Sequence, residues 1–178
     1  MILGLDASSV MIGYCLLDID GNYVEVGHID LHKCENLYKK LLMFDEFFKK
    51  LIIIYNIKTV VIEQPALMFQ KASTAHVMAL LQRWNGFICS QIFLTSNKEP
   101  ISISAASARK IVGIKIPKGI KGKKTKEYIL SYVKELNIIP QSHWIYKKTG
   151  MPKDYHFDEC DAVIIAKAGF LLEKNKSH

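Results

Sequence analysis

Four acidic residues sit where a folded chain has little reason to place charge. Asp6 follows the apolar run Ile2-Leu3-Gly4-Leu5, Glu63 closes the run Thr59-Val60-Val61-Ile62, and Asp158 and Asp161 stand three apart at the head of the last helical segment. Charge within a strand is expensive unless it serves a site or lies at the strand's exposed end. Pro65, two residues beyond Glu63, breaks the sheet and leaves that carboxylate at a strand tip. Asp158 and Asp161 share one helix face near its N-terminus, where negative charge is favoured. Taken singly, each has an ordinary explanation: a turn or cap for Asp6, a solvated strand end for Glu63, helix capping for one of the late pair. Together they suit phosphodiester hydrolysis with divalent ions. Mg²⁺ takes hard oxygen ligands, and two ions about 3.5–4 Å apart stabilise the entering and leaving oxygens.

The elements that would carry these groups follow from periodicity. Residues 2–8, 12–19 and 23–31 are apolar or alternating runs separated by Ser8-Ser9 and Asp20-Gly21-Asn22, which predicts consecutive antiparallel strands with a glycine-assisted hairpin at the second joint. Leu37, Leu41, Leu42, Phe44, Phe48 and Leu51 recur at helical spacing, an amphipathic helix over 35–55. Thr59 to Ile62 does not alternate, as expected of a strand covered on both faces. A long helical pattern over 73–93 follows, in which Met78, Leu81, Trp84 and Phe87 read as core or dimer surface. Next come a short strand over 101–103 and a helix from Ala105 that Gly113 stops. Residues 115–126 read as a Gly- and Lys-rich loop, 125–136 as a helix, 137–155 as irregular chain and 158–173 as the last helix. This order predicts an α/β fold, a mixed central β-sheet flanked by α-helices, in a single domain over residues 1–178.

Composition narrows the partners. With 178 residues, 49% of them hydrophobic, the chain can bury one substantial core. No apolar stretch is long enough to span a bilayer, and the first residues read as a strand rather than a secretory signal. Cys15, Cys34, Cys89 and Cys160 are scattered with no C-x-x-C, which argues against zinc and disulfides and for a reducing, intracellular setting. A net charge of +7 favours polyanionic partners, nucleic acid first. Lys118, Lys121, Lys123, Lys124 and Lys126 crowd one segment, read either as a phosphate-binding loop or as a solvated charge run. Phe69, Gln70 and Lys71 form the turn after Glu63, where loops meet substrate; Phe69 either stacks on an unpaired base or joins the core.

Leu3-Gly4-Leu5-Asp6-Ala7-Ser8-Ser9 with Gly13-Tyr14 resembles the first motif of the RuvC family of Holliday junction resolvases, in the RNase H-like superfamily. Val60-Val61-Ile62-Glu63-Gln64-Pro65 resembles its second motif, and Phe157-Asp158-Glu159-Cys160-Asp161-Ala162 with Ile165-Ala166 its third. The resemblance implies an RNase H-like fold in which Asp6, Glu63, Asp158 and Asp161 hold two Mg²⁺ or Mn²⁺ ions. It also implies a homodimer that nicks four-way or other branched DNA symmetrically, leaving 5′-phosphate and 3′-hydroxyl ends. Ala108 to Gly113 resembles the family segment that ends in Val-Gly, placing Arg109 and Lys110 beside DNA. Lys124 is the match for the catalytic lysine, with Lys118, Lys121, Lys123 and Lys126 as alternatives or backbone contacts. His156 and Glu159 flank the acidic pair as further metal or proton-transfer candidates, although Glu159 points about 100° away from Asp158 on a regular helix and is expected at the surface. Residues 137–155, with Trp144, Tyr146, Lys147 and Lys148, look enlarged relative to the family and would widen recognition to flaps or forks, as in a viral or mobile-element member.

Three other readings compete. An RNase H-like nuclease acting on RNA precursors shares the strand-borne Asp and late acidic helix, but Glu63-Gln64-Pro65 and the Asp158/Asp161 pair favour the resolvase. An actin-like ATPase needs a glycine-rich phosphate loop, and Asp6-Ala7-Ser8 lacks the glycine. A non-catalytic binding protein for branched nucleic acid would gain nothing from four acids facing phosphate, unless metal ions offset their charge.

Overall fold

The computed structural model describes residues 1–65 and 74–176. The chain runs β1 (Ile2–Ala7), β2 (Met11–Leu17), β3 (Tyr23–Asp30), α1 (Leu37–Ile54), β4 (Thr59–Glu63), α2 (Ala75–Ser96), β5 (Ile101–Ile103), α3 (Ala105–Val112), α4 (Lys123–Glu135) and α5 (Tyr155–Lys176), with a 3-10 turn at Gln141–His143. The strands form one five-stranded sheet in the order β3-β2-β1-β4-β5. β1 pairs with β2 and β2 with β3 antiparallel, so β1 and β3 point the same way, while β4 and β5 continue the sheet in parallel. The expected mixed α/β architecture is therefore present. At the hairpin between β2 and β3, Gly21 takes φ +82° and the Asp18 carboxylate accepts from the Asp20 and Asn22 amides.

Alternation along the strands sorts the core into two layers. Leu3, Leu5, Ile12, Leu16, Val60 and Ile62 pack against Phe44 and Phe48 of α1 and Trp84, Ile88 and Ile92 of α2. Ile2, Cys15, Leu17, Val61 and Ile103 face α3, α4 and α5. Covered on both sides, β4 needs no polar face, which is why its sequence does not alternate.

α5 lies directly on the sheet. It is buried nearly all round rather than along one stripe, through Phe157, Cys160 and the run Ala162 to Ala166. Two glycines permit this approach. A Cβ at Gly4 would lie 2.5 Å from the Ala166 nitrogen and 2.6 Å from the Ala162 carbonyl oxygen. One at Gly13 would lie 2.8 Å from the Glu159 nitrogen and closer still to the Asp158 carbonyl.

Some boundaries differ from expectation. α4 begins at Lys123, two residues early, so Lys123 and Lys124 are helical rather than in a loop. α5 begins at Tyr155, three residues early, which puts Asp158 in its first turn. Residues 137–155 are ordered by the 3-10 turn and by a bridge between Tyr146 and Pro152.

Because a side chain at position 4 meets backbone that cannot rotate away, Gly4→Ala is expected to lower unfolding free energy by ~3 kcal/mol, the upper range for overpacking. Urea denaturation followed by circular dichroism measures it; a change under ~0.5 kcal/mol would mean that α5 does not lie against β1 this way.

Candidate active site

Strand parity and one helix assemble the acids. Asp6 shares the α5-facing side of β1 with Ile2 and Gly4, and Glu63 shares that side of β4 with Val61. Leu5 pairs with Ile62, so Asp6 and Glu63 are the next residues on two parallel neighbours. Gly13 pairs with Asp6 from the other side, and α5 crosses Gly13 at Asp158. One turn on, Asp161 borders a small recess with Glu63 and Arg109. The ends of β1 and β4 are tied down from the opposite layer. Trp84 Nε1 donates to the Ser8 carbonyl at 2.9 Å, and Asn85 Nδ2 to the Glu63 carbonyl at 3.0 Å. Neither α2 residue was singled out in sequence for this role, because a contact from a helix to a strand-end carbonyl leaves no local pattern.

The cluster is electrostatically short of positive charge. Burial, then the fields of Glu63, Asp161 and Asp158, push the Asp6 carboxyl well above the ordinary range. Burial and Asp161 raise Glu63 to about 7, against the opposing pull of Lys126 and Arg109. Burial raises Asp161 to about 6, opposed chiefly by Lys126. Lys126 Nζ donates to Asp158 at 2.9 Å and stands 4.0 Å from Asp161. Burial alone would lower its pKa, but Asp158, Asp161 and Asp6 raise it.

The lysine at the acids is thus Lys126 rather than Lys124, which lies two residues away and so roughly 200° around α4. Lys124 is exposed, as are Lys110, Lys118, Lys121 and Lys123. Phe69, Gln70 and Lys71 lie outside the described residues. Glu159 is not at the surface as expected: it is 1% exposed and accepts hydrogen bonds from His28, His143 and His156. Helical angle placed it off the acidic face correctly, but α5 is buried on that side too. Two of its partners, His28 of β3 and His143 of the 3-10 turn, were out of reach of a local reading, while the third, His156, lies one turn back on α5. All four cysteines are free. Among the described residues, no helix is long and apolar enough to cross a membrane.

No family model and no curated protein matches the sequence. Solved structures do match. Thermus thermophilus RuvC in complex with Holliday junction substrate superposes with a TM-score of 0.63 at 12% identity, over 97% of this chain and 94% of that one. A further Thermus thermophilus RuvC structure gives 0.63 at 14% identity, over 98% and 96%. The yeast mitochondrial Holliday junction resolvase Ydc2 gives 0.64 at 14%, over 99% of this chain and 80% of that one. At such identities the likeness establishes the fold, which this chain shares with these RuvC and Ydc2 structures.

The raised acids carry a testable sign. A carboxyl whose folded pKa lies above its unfolded value favours folding only while protonated, so this stability is present below about 4.5 and lost as pH rises through about 7 for Glu63. Glu63→Gln is therefore expected to stabilise the metal-free protein at pH 8 by about 1–3 kcal/mol and to have little effect at pH 4.5. Urea titrations in EDTA at both pH values measure this. Equal or opposite effects would show that Glu63 is not held among like charges.

Proposed function

We propose that this chain is a structure-specific endodeoxyribonuclease of the RuvC type, cutting four-way and related branched DNA. The observation that carries the reading is the convergence of Asp6, Glu63, Asp158 and Asp161 from three elements onto one sheet end, with Lys126 alongside. Four hard oxygen donors, two of them raised to about 7 and about 6 by burial and mutual repulsion, are a donor set that fits divalent cations. Asp6, Glu63, Asp158 and Asp161 would hold two Mg²⁺ or Mn²⁺ ions, which supply Lewis acidity and a more acidic attacking water.

The chain's own groups do the rest. Asp6 and Glu63 are fixed by the sheet and by the Trp84 and Asn85 hydrogen bonds, so the donor set is preorganised. Lys126 is held by Asp158 and Asp161, and its ammonium would offset the charge growing on the reacting phosphate. Arg109, facing Glu63 and Asp161, adds a second positive group at the same edge. Hydrolysis joins a water oxygen to phosphorus and releases the 3′ oxygen, leaving a 5′-phosphate and a 3′-hydroxyl. Lys110, Lys118, Lys121, Lys123 and Lys124 lie outside the cluster and suit contacts along the DNA backbone. Paired symmetric nicks require two copies. Tyr38 and Leu42 of α1, and Phe93 and Leu94 of α2, are exposed apolar side chains that a homodimer contact would cover. One domain over residues 1–178 would constitute each subunit.

A labelled synthetic four-way junction, with linear duplex and an RNA hairpin for comparison, tests the proposal. Cutting is expected with Mg²⁺, to be absent in EDTA, and to be abolished in Asp6→Asn with junction binding retained. Lys126→Ala is expected to slow single-turnover cutting by ~10²-fold or more and Lys124→Ala by less than ~3-fold. Cleavage of the RNA alone, or junction binding without cutting, would refute it.

A further inference from the structure

Beside the acids lies a second, differently built cluster. The Glu159 carboxylate accepts from His28 Nδ1 at 2.8 Å on one oxygen, and from His143 Nε2 at 2.8 Å and His156 Nδ1 at 2.6 Å on the other. These are donors a transition metal could also use, but one hydrogen bond decides between the two readings. The Ile145 backbone N–H donates to His156 Nε2 at 2.9 Å. That nitrogen is therefore unprotonated, the ring proton is on Nδ1, and Nδ1 has no lone pair to offer a metal. The cluster is a hydrogen-bonded knot joining β3, the 3-10 turn, the first turn of α5 and, through His156, the chain at Ile145.

What the knot secures is a hairpin. The Lys147 amide donates to the Met151 carbonyl at 2.7 Å and the Lys153 amide to the Ile145 carbonyl at 3.0 Å, while Tyr146 bridges Pro152 and Gly150 turns at φ +80°. Ile145, Tyr146 and Met151 are 52%, 48% and 40% exposed, unusual for apolar side chains on so small an element, and Lys148 and Lys153 are exposed among them. Lys134 Nζ donates to the Tyr146 hydroxyl at 2.8 Å and lies 4.8 Å from its ring centroid, holding it in place. The hairpin is tied to the elements that carry and border the acids. It runs directly into α5, Lys123 of α4 acts on Asp154 at its base, and His28 pairs with Gly13, which pairs with Asp6.

We infer that the hairpin over residues 145–153, secured to the acid-bearing helix by Glu159, is a second nucleic-acid contact that meets base faces and phosphates of branched DNA next to the cleft. Exposed aromatic and apolar side chains interleaved with lysines suit unstacked base faces flanked by phosphate, a combination that the open centre of a branch point offers and an intact duplex does not. Glu159 is a positioning residue in this scheme: it touches no substrate and acts through the hairpin.

The inference rests on the nuclease reading for its substrate but is tested by binding, in Ca²⁺ or EDTA, to a four-way junction and a linear duplex of matched sequence. The triple variant Tyr146→Ala, Lys148→Ala, Lys153→Ala is expected to weaken junction binding ~10-fold or more and duplex binding by less than ~3-fold. Losing two phosphate contacts should also lower the slope of log K against log salt by about 2. Glu159→Gln should speed hydrogen exchange at the Ile145 and Lys153 amides ~10-fold or more and weaken junction binding, and adding it to the triple variant should weaken binding no further. Unchanged junction affinity and salt slope in the triple variant would overturn the inference, as would additive losses. Cutting is read separately, so a protein that binds junctions through the hairpin but cleaves nothing would overturn the nuclease reading alone.

Discussion

Like charge held together away from water is the constraint to which the rest of the fold answers. Asp6 is surrounded by Glu63, Asp158 and Asp161, and its ionised form suffers from burial and from all three. Lys126 and Arg109 offset only part of that repulsion, since Glu63 and Asp161 remain raised despite them. Groups that repel stay together only where a stiff frame over-determines their positions. The frame here is a buried sheet with apolar layers on both faces, its strand ends fixed by Trp84 and Asn85, and a helix laid against two glycines.

That division of labour explains why the two layers differ in composition. The α1–α2 side is filled by large residues such as Phe44, Phe48 and Trp84, and it supplies apolar burial. The α5 side approaches the sheet over Gly4 and Gly13 with small residues, Ala162, Ala166 and Ala168, so that backbone rather than side chain fills the gap. Close approach brings Asp158 and Asp161 within reach of Asp6 and Glu63; a bulkier interface would hold the helix, and its carboxylates, away.

Most of the frame was legible in the sequence because it is local. Periodicity located β1, β2, β3, α1, β4 and α3, and Gly113 marked the end of α3, where it takes φ +84°. The four acids were legible because charge at a strand end or inside a buried helix conflicts with burial. What was not legible depends on phase or on distance along the chain. Whether Lys124 or Lys126 faces the acids turns on where α4 starts, and Gly122, with no side chain to cap it, gives no sign of that start. The surface position expected for Glu159 failed because helical angle ranks faces relative to one another but not to the surroundings. His28 lies 131 residues away in sequence.

Glu159 and Asp161 show what distinguishes a structural carboxylate from one left available. They stand two residues apart on α5 and both are largely withdrawn from water. Burial raises each, yet Glu159 ends at about 2 because three imidazole N–H groups point at it, whereas Asp161 ends at about 6 with a single lysine at 4.0 Å and another carboxylate nearby. The first has three of its roughly four acceptor sites taken by fixed partners, which it holds together. The second, with Asp6 and Glu63, is left with unfilled lone pairs and excess negative charge. That is the condition under which gathering carboxylates in a cationic protein makes chemical sense: a divalent cation would complete them. Two faces of one helix therefore carry opposite solutions to the same desolvation problem, and the difference lies in the donors that the rest of the fold delivers.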